Sequence, residues 1–496
     1  MGKILKTILE DLEYELVQGS LDTEVEGIVC DSRKAGKGSL FICVPGAVTD
    51  GHKYAPDVVE KGASVLVTEK DVRDLLPEDK KEDVTILQVK DARYAMAFLS
   101  AAWFDHPADK MKVIGITGTK GKTTTTYMVR SVLESADYKT GLVGTIEIIM
   151  GDEHISAEHT TPESCLLQEY FAKMVEKGCQ CVVMEVSSQA LMLHRTQGFT
   201  FDYGIFTNLE PDHIGPAEHK DFDDYLHCKS LLFQQCKTGI FNCDDEHFEK
   251  VKEGATCDIV TYGFSEKADY RAEDLFLMEG EGLLGISFHV SGKADLSLKL
   301  HAPGRFSVYN ALCAITICDQ FGIEKGVMAE AVGQAKVKGR IEMIPVSKDY
   351  TLMIDYAHNA MSLESLLRTL REYKPGRLVC LFGCGGDRSK LRRFEMGEVS
   401  GKLADLTVIT SDNPRTEDPQ AIIDDIKTGI GKTDGEYVEI IDRREAIRYV
   451  IDNAKPRDLI VLAGKGHEDY QEINGKKYPM DERDIIRDIM KDKGMA

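Results

Sequence analysis

Short apolar runs alternate with longer amphipathic stretches along most of the chain. In the last third, apolar runs at residues 352–354, 378–382, 406–409 and 459–462 are each followed by polar residues, and helical patterns separate the runs. Strands that alternate with helices in this way predict a doubly wound, mostly parallel sheet. The sequence therefore predicts an α/β fold for this region, with polar loops along one edge of the sheet.

Two other regions show related patterns. Residues 25–107 predict a small α/β domain, residues 112–117, 181–185 and 203–207 predict buried strands of a second sheet, and residues 272–300 alternate as antiparallel strands do. At 496 residues the chain is too long for one core. We expect three domains: a small amino-terminal α/β domain at 1–108, a central, mostly parallel sheet of the P-loop type at 109–338, and a carboxy-terminal Rossmann-like doubly wound domain at 339–496.

A glycine-rich turn follows the apolar run at residues 112–117 and leads into a threonine-rich helix start. Backbone N–H groups freed by Gly115, Gly118 and Gly121, together with the positive end of the helix dipole, favour a bound polyphosphate. Lys122 is placed to reach the outer phosphates, and Thr123 to offer its hydroxyl to a magnesium ion. The spacing from Gly115 to Gly121 is one residue longer than in the usual P-loop. A glycine-rich turn without a ligand is the alternative.

Composition and charge limit the kinds of partner that we expect the protein to bind. A formal net charge of -22 argues against nucleic acid or an anionic membrane as the main partner, because both bind clustered Lys and Arg. Charged residues interrupt the apolar start of the chain, so we expect neither a signal peptide nor a membrane-inserted helix. Thirteen cysteines without a C-x-x-C pair predict a protein of the reducing cytoplasm that lacks a structural zinc site.

Polar residues in the central region follow predicted strands or precede helices. Glu185 ends a buried strand beside the glycine-rich turn, where a carboxylate is well placed to bind magnesium; a hydrogen-bonded strand-end residue is the alternative. Thr160 and Thr161 invite an anion, or else simply precede a helix with Pro162 in its first turn. Lys229 lies among apolar neighbours on a predicted helix, and its spacing alone indicates a surface residue with its amine in water.

Four polar clusters end the strands of the last region. They occupy residues 355–359, 383–388, 411–415 and 464–468. Because the carboxyl ends of parallel strands meet at one edge of a sheet, we expect these clusters to share a rim. Arginine binds a carboxylate through two parallel hydrogen bonds, and a carboxylate binds an ammonium group. The clusters therefore predict recognition of a zwitterion.

Taken together, these motifs resemble the Mur ligase family, and over nearly the full chain its MurE type. The resemblance rests on short segments spread along the sequence, at residues 31–33, 118–124, 160–162, 184–188, 208–213, 225–233, 304–314, 339–342, 355–359, 383–388, 412–415 and 464–468. It implies an ATP-dependent ligase that phosphorylates a substrate carboxylate, lets an amine attack the acyl phosphate, and releases phosphate. The implied acceptor is UDP-N-acetylmuramoyl-L-alanyl-D-glutamate, and the pathway is peptidoglycan precursor synthesis.

The resemblance also implies roles in nucleotide and metal binding. ATP is expected at the glycine-rich turn and at residues of the third domain: Gly118, Thr119, Lys120, Gly121, Lys122, Thr123, Thr124, Asn310, Arg340, Asp355 and His358. The implied ligands of Mg²⁺ are Thr123, Glu185, His213 and Lys229, with Lys229 carbamylated. Lys122, Glu185, His213 and Lys229 are the implied catalytic residues.

Substrate contacts follow from the same resemblance. Ser32 is expected at the uridine end, and the muramoyl dipeptide is expected at Thr160, Thr161, Ser187 and Arg195. The amino-acid site is expected at Arg388, Asp412, Asn413, Pro414, Arg415, Gly464 and Glu468. In the family, an arginine at position 415 accompanies meso-diaminopimelate, whose distal carboxylate it binds. The loop at residues 212–219 departs from the family pattern and is longer before Lys229.

Three alternatives stay open at this point. The first is the same ligase adding L-lysine, since some lysine-adding relatives keep the arginine. The second is a folate-type polyglutamate ligase, which shares the central and carboxy-terminal plan but not the segment at residues 31–33 or the one at 412–415. The third is a nucleotide-binding paralogue without catalysis. For the ligase we expect a cytoplasmic monomer whose partners are the nucleotide sugar-peptide and a diamino acid.

Overall fold

The structure is a computed structural model that describes residues 2–9, 11–46, 49–212, 214–215 and 218–494. The chain forms two compact units. The first comprises Met1–Asp269 and Cys313–Ile323, and the second comprises Tyr270–Leu312 and Glu324–Ala496. Within the described residues, none of the helices combines the length and the apolar character that crossing a membrane requires.

The first unit begins with a small five-stranded sheet. Its order is β2-β7-β6-β5-β4, and all neighbouring strands are parallel except β2 and β7. The elements of this whole region, including β1 and β3 outside that sheet, are β1 Lys3–Ile4, β2 Glu15–Gln18, β3 Glu24–Val25, β4 Gly27–Val29, β5 Ser39–Ile42, β6 Val65–Thr68, β7 Thr85–Gln88, α1 Ala55–Glu60 and α2 Ala92–Trp103. Leu40 and Ile42 pack into one apolar cluster and Phe41 into another, so alternate side chains of β5 supply both faces of the sheet. This confirms the predicted amino-terminal α/β fold.

A larger, mostly parallel sheet follows in the same unit. The strands are β8 Lys112–Thr117, β9 Thr140–Val143, β10 Glu147–Met150, β11 Glu153–Ser156, β12 Cys181–Glu185, β13 Phe201–Phe206, β14 Cys236–Asn242 and β15 Asp258–Gly263. The helices are α3 Lys122–Ser135, α4 Ser164–Glu176, α5 Ser188–Met192, α6 Phe222–Ser230 and α7 Phe248–Lys252. The order is β11-β10-β9-β12-β8-β13-β14-β15. Strand β8 pairs in parallel with both β12 and β13, so the carboxyl ends of these three strands lie at one edge.

The second unit holds antiparallel strands and a doubly wound sheet. Its strands are β16 Tyr270–Gly280, β17 Leu283–Gly292, β18 Leu296–Leu300, β19 Glu342–Ile344, β20 Thr351–Asp355, β21 Arg377–Phe382, β22 Leu406–Ile409, β23 Tyr437–Glu439, β24 Asp458–Ala463, β25 Tyr470–Ile473 and β26 Lys476–Pro479. The helices are α8 Arg305–Asp319, which contributes its last residues to the first unit, α9 Lys325–Gln334, α10 Ala360–Arg371, α11 Lys390–Leu403, α12 Pro419–Ile430, α13 Arg443–Asp452 and α14 Glu482–Asp492.

The doubly wound sheet has the order β19-β20-β24-β21-β22-β23, and only β19 runs antiparallel to its neighbour. One apolar cluster joins the sheet to α10, α11 and α12, and a second joins it to α13 and α14. Helices therefore cover both faces, and the carboxyl ends of β20, β24, β21 and β22 lie at one edge. The predicted Rossmann-like fold is confirmed.

Candidate active site

The glycine-rich turn after β8 has a backbone that only glycine fits. Gly118 has φ +147, and a Cβ on it would lie 1.9 Å from the Thr207 hydroxyl. Gly121 has φ +85 and immediately precedes α3. Both conformations are strained for any other residue. The turn therefore brings its backbone close to its neighbours and presents the N-terminus of α3, as a phosphate-binding loop does. Residues 118–124 are accordingly named the phosphate loop.

Two lysine side chains meet at one carbonyl of this turn. The Nζ atoms of Lys122 and Lys229 each donate to the Gly118 carbonyl at 2.9 Å. Lys229 is only 1% exposed, so the alternative of a surface residue with its amine in water is wrong. Burial, and then the nearby charge of Lys122, hold the pKa of the Lys229 amine well below its usual range. Both effects disfavour the charged form of the amine, and the neutral form is the one that reacts with carbon dioxide.

Glu185 lies beside the turn with its carboxylate bound by hydroxyls and one amide. The Thr123 hydroxyl lies 2.9 Å and 3.0 Å from its two oxygens. Thr145 donates its backbone N–H at 2.8 Å and its hydroxyl at 3.1 Å. The carboxylate is 1% exposed and satisfied as drawn, so its hydrogen bonds alone account for its burial.

The same two side chains fit a magnesium ion. Mg²⁺ prefers oxygen ligands such as carboxylates and hydroxyls, and the Thr123 hydroxyl and the Glu185 carboxylate are adjacent oxygen donors next to the phosphate loop. His213, the third predicted metal ligand, lies outside the described residues.

Thr161 connects the loop before α4 to the end of β12. Its hydroxyl donates to the Glu185 carbonyl at 2.8 Å and accepts the Ser187 N–H at 3.0 Å. Helix α4 begins only at Ser164, so the alternative of Pro162 in its first turn is wrong. Thr160 lies 3.0 Å from the Thr145 hydroxyl. The two threonines thus lie at the same edge as Glu185.

Arg195 and Ser187 complete this group. Arg195 donates to the Thr161 carbonyl at 3.1 Å and pairs with Glu163 at 2.7 Å. Ser187 caps α5, because its hydroxyl accepts the Ala190 N–H at 3.1 Å. The structure therefore brings together Thr160, Thr161, Ser187 and Arg195, the four predicted peptide contacts.

Asn208 holds the far side of the phosphate loop. Its side-chain oxygen accepts the Lys120 N–H at 2.9 Å, and its side-chain nitrogen donates to the Lys120 carbonyl at 3.0 Å. The Lys120 ammonium instead pairs with Glu210 at 2.6 Å. Lys120 thus contributes to the loop mainly through its backbone in this structure.

A buried histidine that the sequence did not single out joins α5 to α6. His219 is 0% exposed, with Nε2 2.8 Å from the Ser188 hydroxyl and Nδ1 3.0 Å from the Asp224 carboxylate. These bonds connect the segment after β13 to the helix that carries Lys229. The only signal in the sequence is the altered loop at residues 212–219, in which His219 is the last residue.

Ser32 begins a short 3₁₀ helix after β4 in the amino-terminal sheet. Beside it, the Asp31 carboxylate accepts the Arg33 N–H at 3.0 Å and pairs with its guanidinium at 2.8 Å, and these contacts lower the pKa of Asp31 to about 2. Ordinary turn chemistry therefore accounts for Asp31 and Arg33. The Ser32 carbonyl accepts the Lys61 ammonium at 2.7 Å.

In the second unit, the predicted nucleotide contacts surround the end of β20. The two carboxylate oxygens of Asp355 accept the N–H groups of Ala357 at 2.9 Å and Ile341 at 2.8 Å. The Arg340 guanidinium lies 4.4 Å from the centre of the Tyr356 ring, and the His358 ring is tilted against the same ring with the two centres 4.6 Å apart. Asn310 lies on α8 and is 8% exposed. Arg340, Asp355 and His358 thus form one group.

The predicted amino-acid contacts lie at the ends of β21, β22 and β24, and the residues 385–388, 412–415 and 464–468 that carry them form the amino-acid rim. Asn413 accepts the Lys465 ammonium at 2.9 Å and donates to the Glu468 carboxylate at 2.8 Å. Gly464 has φ +104, and a Cβ on it would lie 3.1 Å from the Asp412 carboxylate. Lys465, which the prediction omitted, is 0% exposed and also pairs with Glu468 at 2.9 Å.

Arg415 projects from the same rim. Its Nη1 donates to the Gly386 carbonyl at 2.7 Å and its Nε to the Glu472 carboxylate at 3.1 Å. The loop after β21 packs tightly here, because a Cβ on Gly386 would lie 1.9 Å from the Pro414 carbonyl. Arg388 lies exposed on that loop. The structure therefore brings all seven predicted amino-acid contacts to one edge of the doubly wound sheet.

Family models match all three regions of the chain. Residues 24–104 match the "Mur ligase family, catalytic domain", residues 116–318 the "Mur ligase middle domain", and residues 339–466 the "Mur ligase, glutamate ligase domain".

Whole proteins match over the full length as well. The UDP-N-acetylmuramoyl-L-alanyl-D-glutamate–2,6-diaminopimelate ligase of Caldanaerobacter subterraneus is 43% identical over 98% of each chain. Ligase 1 of the same name from Clostridium acetobutylicum is 44% identical over 98% of this chain and 99% of its own. A solved structure of a ligase with this name superposes with a TM-score of 0.72 at 27% identity and covers 100% of both chains.

Proposed function

The chain belongs to the Mur ligase family, and we propose that it joins meso-2,6-diaminopimelate to the D-glutamate of UDP-N-acetylmuramoyl-L-alanyl-D-glutamate, with ATP converted to ADP and phosphate. The reaction is one step of peptidoglycan precursor synthesis. Full-length relatives with this activity in their names support the assignment. The observation that carries it is the pair of lysine side chains, Lys122 and Lys229, whose Nζ atoms meet at the Gly118 carbonyl next to Thr123 and Glu185.

In the phosphate loop, this chain supplies charge and position. Lys122 neutralises the outer phosphates, while the N–H groups of residues 118–124 orient them. Thr123, Glu185 and His213 would hold Mg²⁺. A bound magnesium ion screens the repulsion between the triphosphate and the attacking carboxylate. The Thr123 and Thr145 hydroxyls that donate to Glu185 keep its carboxylate oxygens at a fixed place beside the loop.

Lys229 has a second role in this proposal. Its neutral amine adds carbon dioxide, which forms an N–C bond and releases one proton, and the product is an anionic carbamate. The exchange converts a buried amine that is close to Lys122 into a group that the neighbouring ammonium attracts. The carbamate would complete the metal-binding residues.

The nucleotide sugar, its dipeptide and the remaining contacts to ATP are each assigned to particular residues. Residues 1–108 bind the uridine end through Ser32, and the central residues 109–338 hold the dipeptide through Thr160, Thr161, Ser187 and Arg195. Asn310, Arg340, Asp355 and His358 contribute to nucleotide binding. The Arg340 guanidinium over the Tyr356 ring supports that assignment.

The amino acid belongs to the carboxy-terminal residues 339–496 in this proposal. Arg415 and Arg388 bind the distal carboxylate of diaminopimelate, and Glu468 and Asn413 bind its ammonium and main-chain groups. Lysine lacks the distal carboxylate and would leave the arginine without that partner. Diaminopimelate is therefore favoured over the lysine-adding alternative.

The folate-type ligase and the paralogue without catalysis are less well supported. The family match at residues 24–104 favours the muramoyl substrate, and the contacts of Arg415 favour diaminopimelate; both argue against a folate-type ligase. The closely placed Lys122, Thr123, Glu185 and Lys229 favour catalysis. We propose that the enzyme acts in the cytoplasm as a monomer. Its thirteen free cysteines are consistent with a reducing compartment.

Mass spectrometry of the product tests this function. The protein is incubated with ATP, Mg²⁺ and the UDP-muramoyl dipeptide, together with diaminopimelate or lysine. A product heavier than the dipeptide by one diaminopimelate residue, formed together with ADP, is expected. Only a lysine-containing product would establish the lysine ligase, and no product with either amino acid would contradict the proposed function.

A further inference from the structure

The hairpin formed by β25 and β26 holds the segment 412–415 by several bonds. The Arg415 N–H donates to the Glu472 carbonyl at 3.0 Å, and the Asn474 N–H donates to the Arg415 carbonyl at 2.7 Å. Arg415 has φ +51, a left-handed conformation that costs energy for a non-glycine residue. The hairpin backbone therefore stabilises an unfavourable backbone conformation at the arginine.

Glu472 contacts the side chains of this segment as well as its backbone. Its carboxylate accepts the Arg415 Nε at 3.1 Å, and its N–H donates to the Asn413 side-chain oxygen at 2.9 Å. A neighbour on the same strand, Gln471, donates to the Asp412 carbonyl at 2.7 Å. One hairpin residue thus bonds to two predicted amino-acid contacts.

The arrangement fixes one part of the Arg415 guanidinium and leaves the other available. Nε is bonded to Glu472 and Nη1 to the Gly386 carbonyl. Within the described part of the chain, Nη2 makes no hydrogen bond, and Nη1 has a second N–H. These remaining donors suit the two oxygens of one carboxylate.

We propose that Glu472 is a positioning residue that aims the Arg415 guanidinium at the distal carboxylate of the incoming amino acid. The inference rests on the proposed function, because the ligand is the diamino acid of that reaction. Glu472 acts through Arg415 and does not itself bind the substrate. The hairpin is therefore a determinant of the choice between diaminopimelate and lysine.

A double-mutant cycle tests the proposal. Glu472→Ala is expected to raise the KM for diaminopimelate about ten-fold while the KM for ATP stays within two-fold, because a charged hydrogen bond orients the guanidinium. Glu472→Gln keeps an acceptor for Nε and is expected to recover part of the loss. Adding Glu472→Ala to Arg415→Ala is expected to cause no further loss, since the residue acts through the arginine.

Glu398→Gln is the matched control. Glu398 lies in the same unit and pairs with Lys402 and Lys432, not with the rim. Its substitution should leave the KM for diaminopimelate unchanged, and thermal unfolding of each variant shows whether it is folded. A folded Glu472→Ala variant with an unchanged KM, or with a loss that adds to that of Arg415→Ala, would overturn the role of Glu472.

Product formation by the wild-type protein distinguishes a failure of this inference from a failure of the proposed function. If it forms no diaminopimelate-containing product, the proposed function fails, and the positioning role fails with it. If it forms the product and the two losses add, only the role of Glu472 fails.

Discussion

The phosphate loop and the amino-acid rim both lie at the carboxyl edge of a parallel sheet, yet they hold their basic side chains differently. At the loop, Lys122 and Lys229 donate to the carbonyl of Gly118. At the rim, Arg415 and Lys465 are bonded to the carboxylates of Glu472 and Glu468.

The difference fits the two ligands of the proposed function. At the loop, the Lys122 ammonium and the N-terminus of α3 both present positive charge, which suits a polyphosphate. Cations paired with carboxylates are fixed in direction, which suits a zwitterion whose charges have a set spacing. We expect substitutions at the loop to abolish turnover and substitutions at the rim to change selectivity.

Lys122→Ala should have the largest effect of the substitutions considered. Loss of a cation at the outer phosphates is expected to lower kcat with diaminopimelate about a thousand-fold, because the lost charge stabilises the transition state. The measurement is phosphate release at saturating ATP. Lys139→Ala, an exposed lysine ahead of β9, is the control and should retain activity. A Lys122→Ala variant that keeps a kcat near that of the wild type at saturating ATP would place Lys122 outside the phosphate site.

Lys229→Ala should lower the rate of the reaction about a hundred-fold, and the rate should recover in part when formate or acetate is added. A small carboxylate occupies the space of the missing carbamate and restores its negative charge. The rate is measured against carboxylate concentration, with chloride at equal ionic strength as the control. Full activity in the variant without any added acid would exclude a carbamate at this position.

Arg415→Ala should act on one substrate only. We expect kcat/KM for diaminopimelate to fall by an amount equivalent to about 2 to 4 kcal/mol, because two charged hydrogen bonds are lost. The KM for ATP should change little. Steady-state kinetics with each substrate varied in turn gives both values. Equal losses for the two substrates would remove the arginine from the amino-acid site.

Glu417→Gln should have the smallest effect, on stability. The buried Arg393 pairs with Glu417 at 2.6 Å and lowers the pKa of Glu417 from 4.5 to about 2. A depressed folded pKa gives stability that is complete above the unfolded value and is lost as pH falls through the folded one. The variant should unfold a few degrees lower at neutral pH, and the difference from wild type should narrow below pH 4.5. A difference that persists unchanged in acid would contradict this account.

Much of the loop could be predicted because its residues are close in sequence. Gly118, Gly121, Lys122 and Thr123 lie within one turn and helix start, and Glu185 follows an uninterrupted apolar strand. The family resemblance singled out Lys229, whose spacing alone indicates a surface lysine, and the structure adds that it is buried.

The contacts that orient these residues could not be predicted in the same way. Arg415 and Glu472 are 57 positions apart, and Lys120 and Asn208 are 88 apart. The strand Lys476–Pro479 is exposed throughout, so it lacks the apolar alternation that identifies a strand in sequence. His219 is similar, because its bonds to Ser188 and Asp224 exist only in the folded chain.

Phosphate release from ATP tests the central claim most directly. The protein is supplied with Mg²⁺, ATP and UDP-N-acetylmuramoyl-L-alanyl-D-glutamate, and release is followed with no amino acid, with lysine and with diaminopimelate. The account predicts rapid release with diaminopimelate and little in the other two reactions. Release that is equally fast without an amino acid, or no release in any of the three, would contradict it.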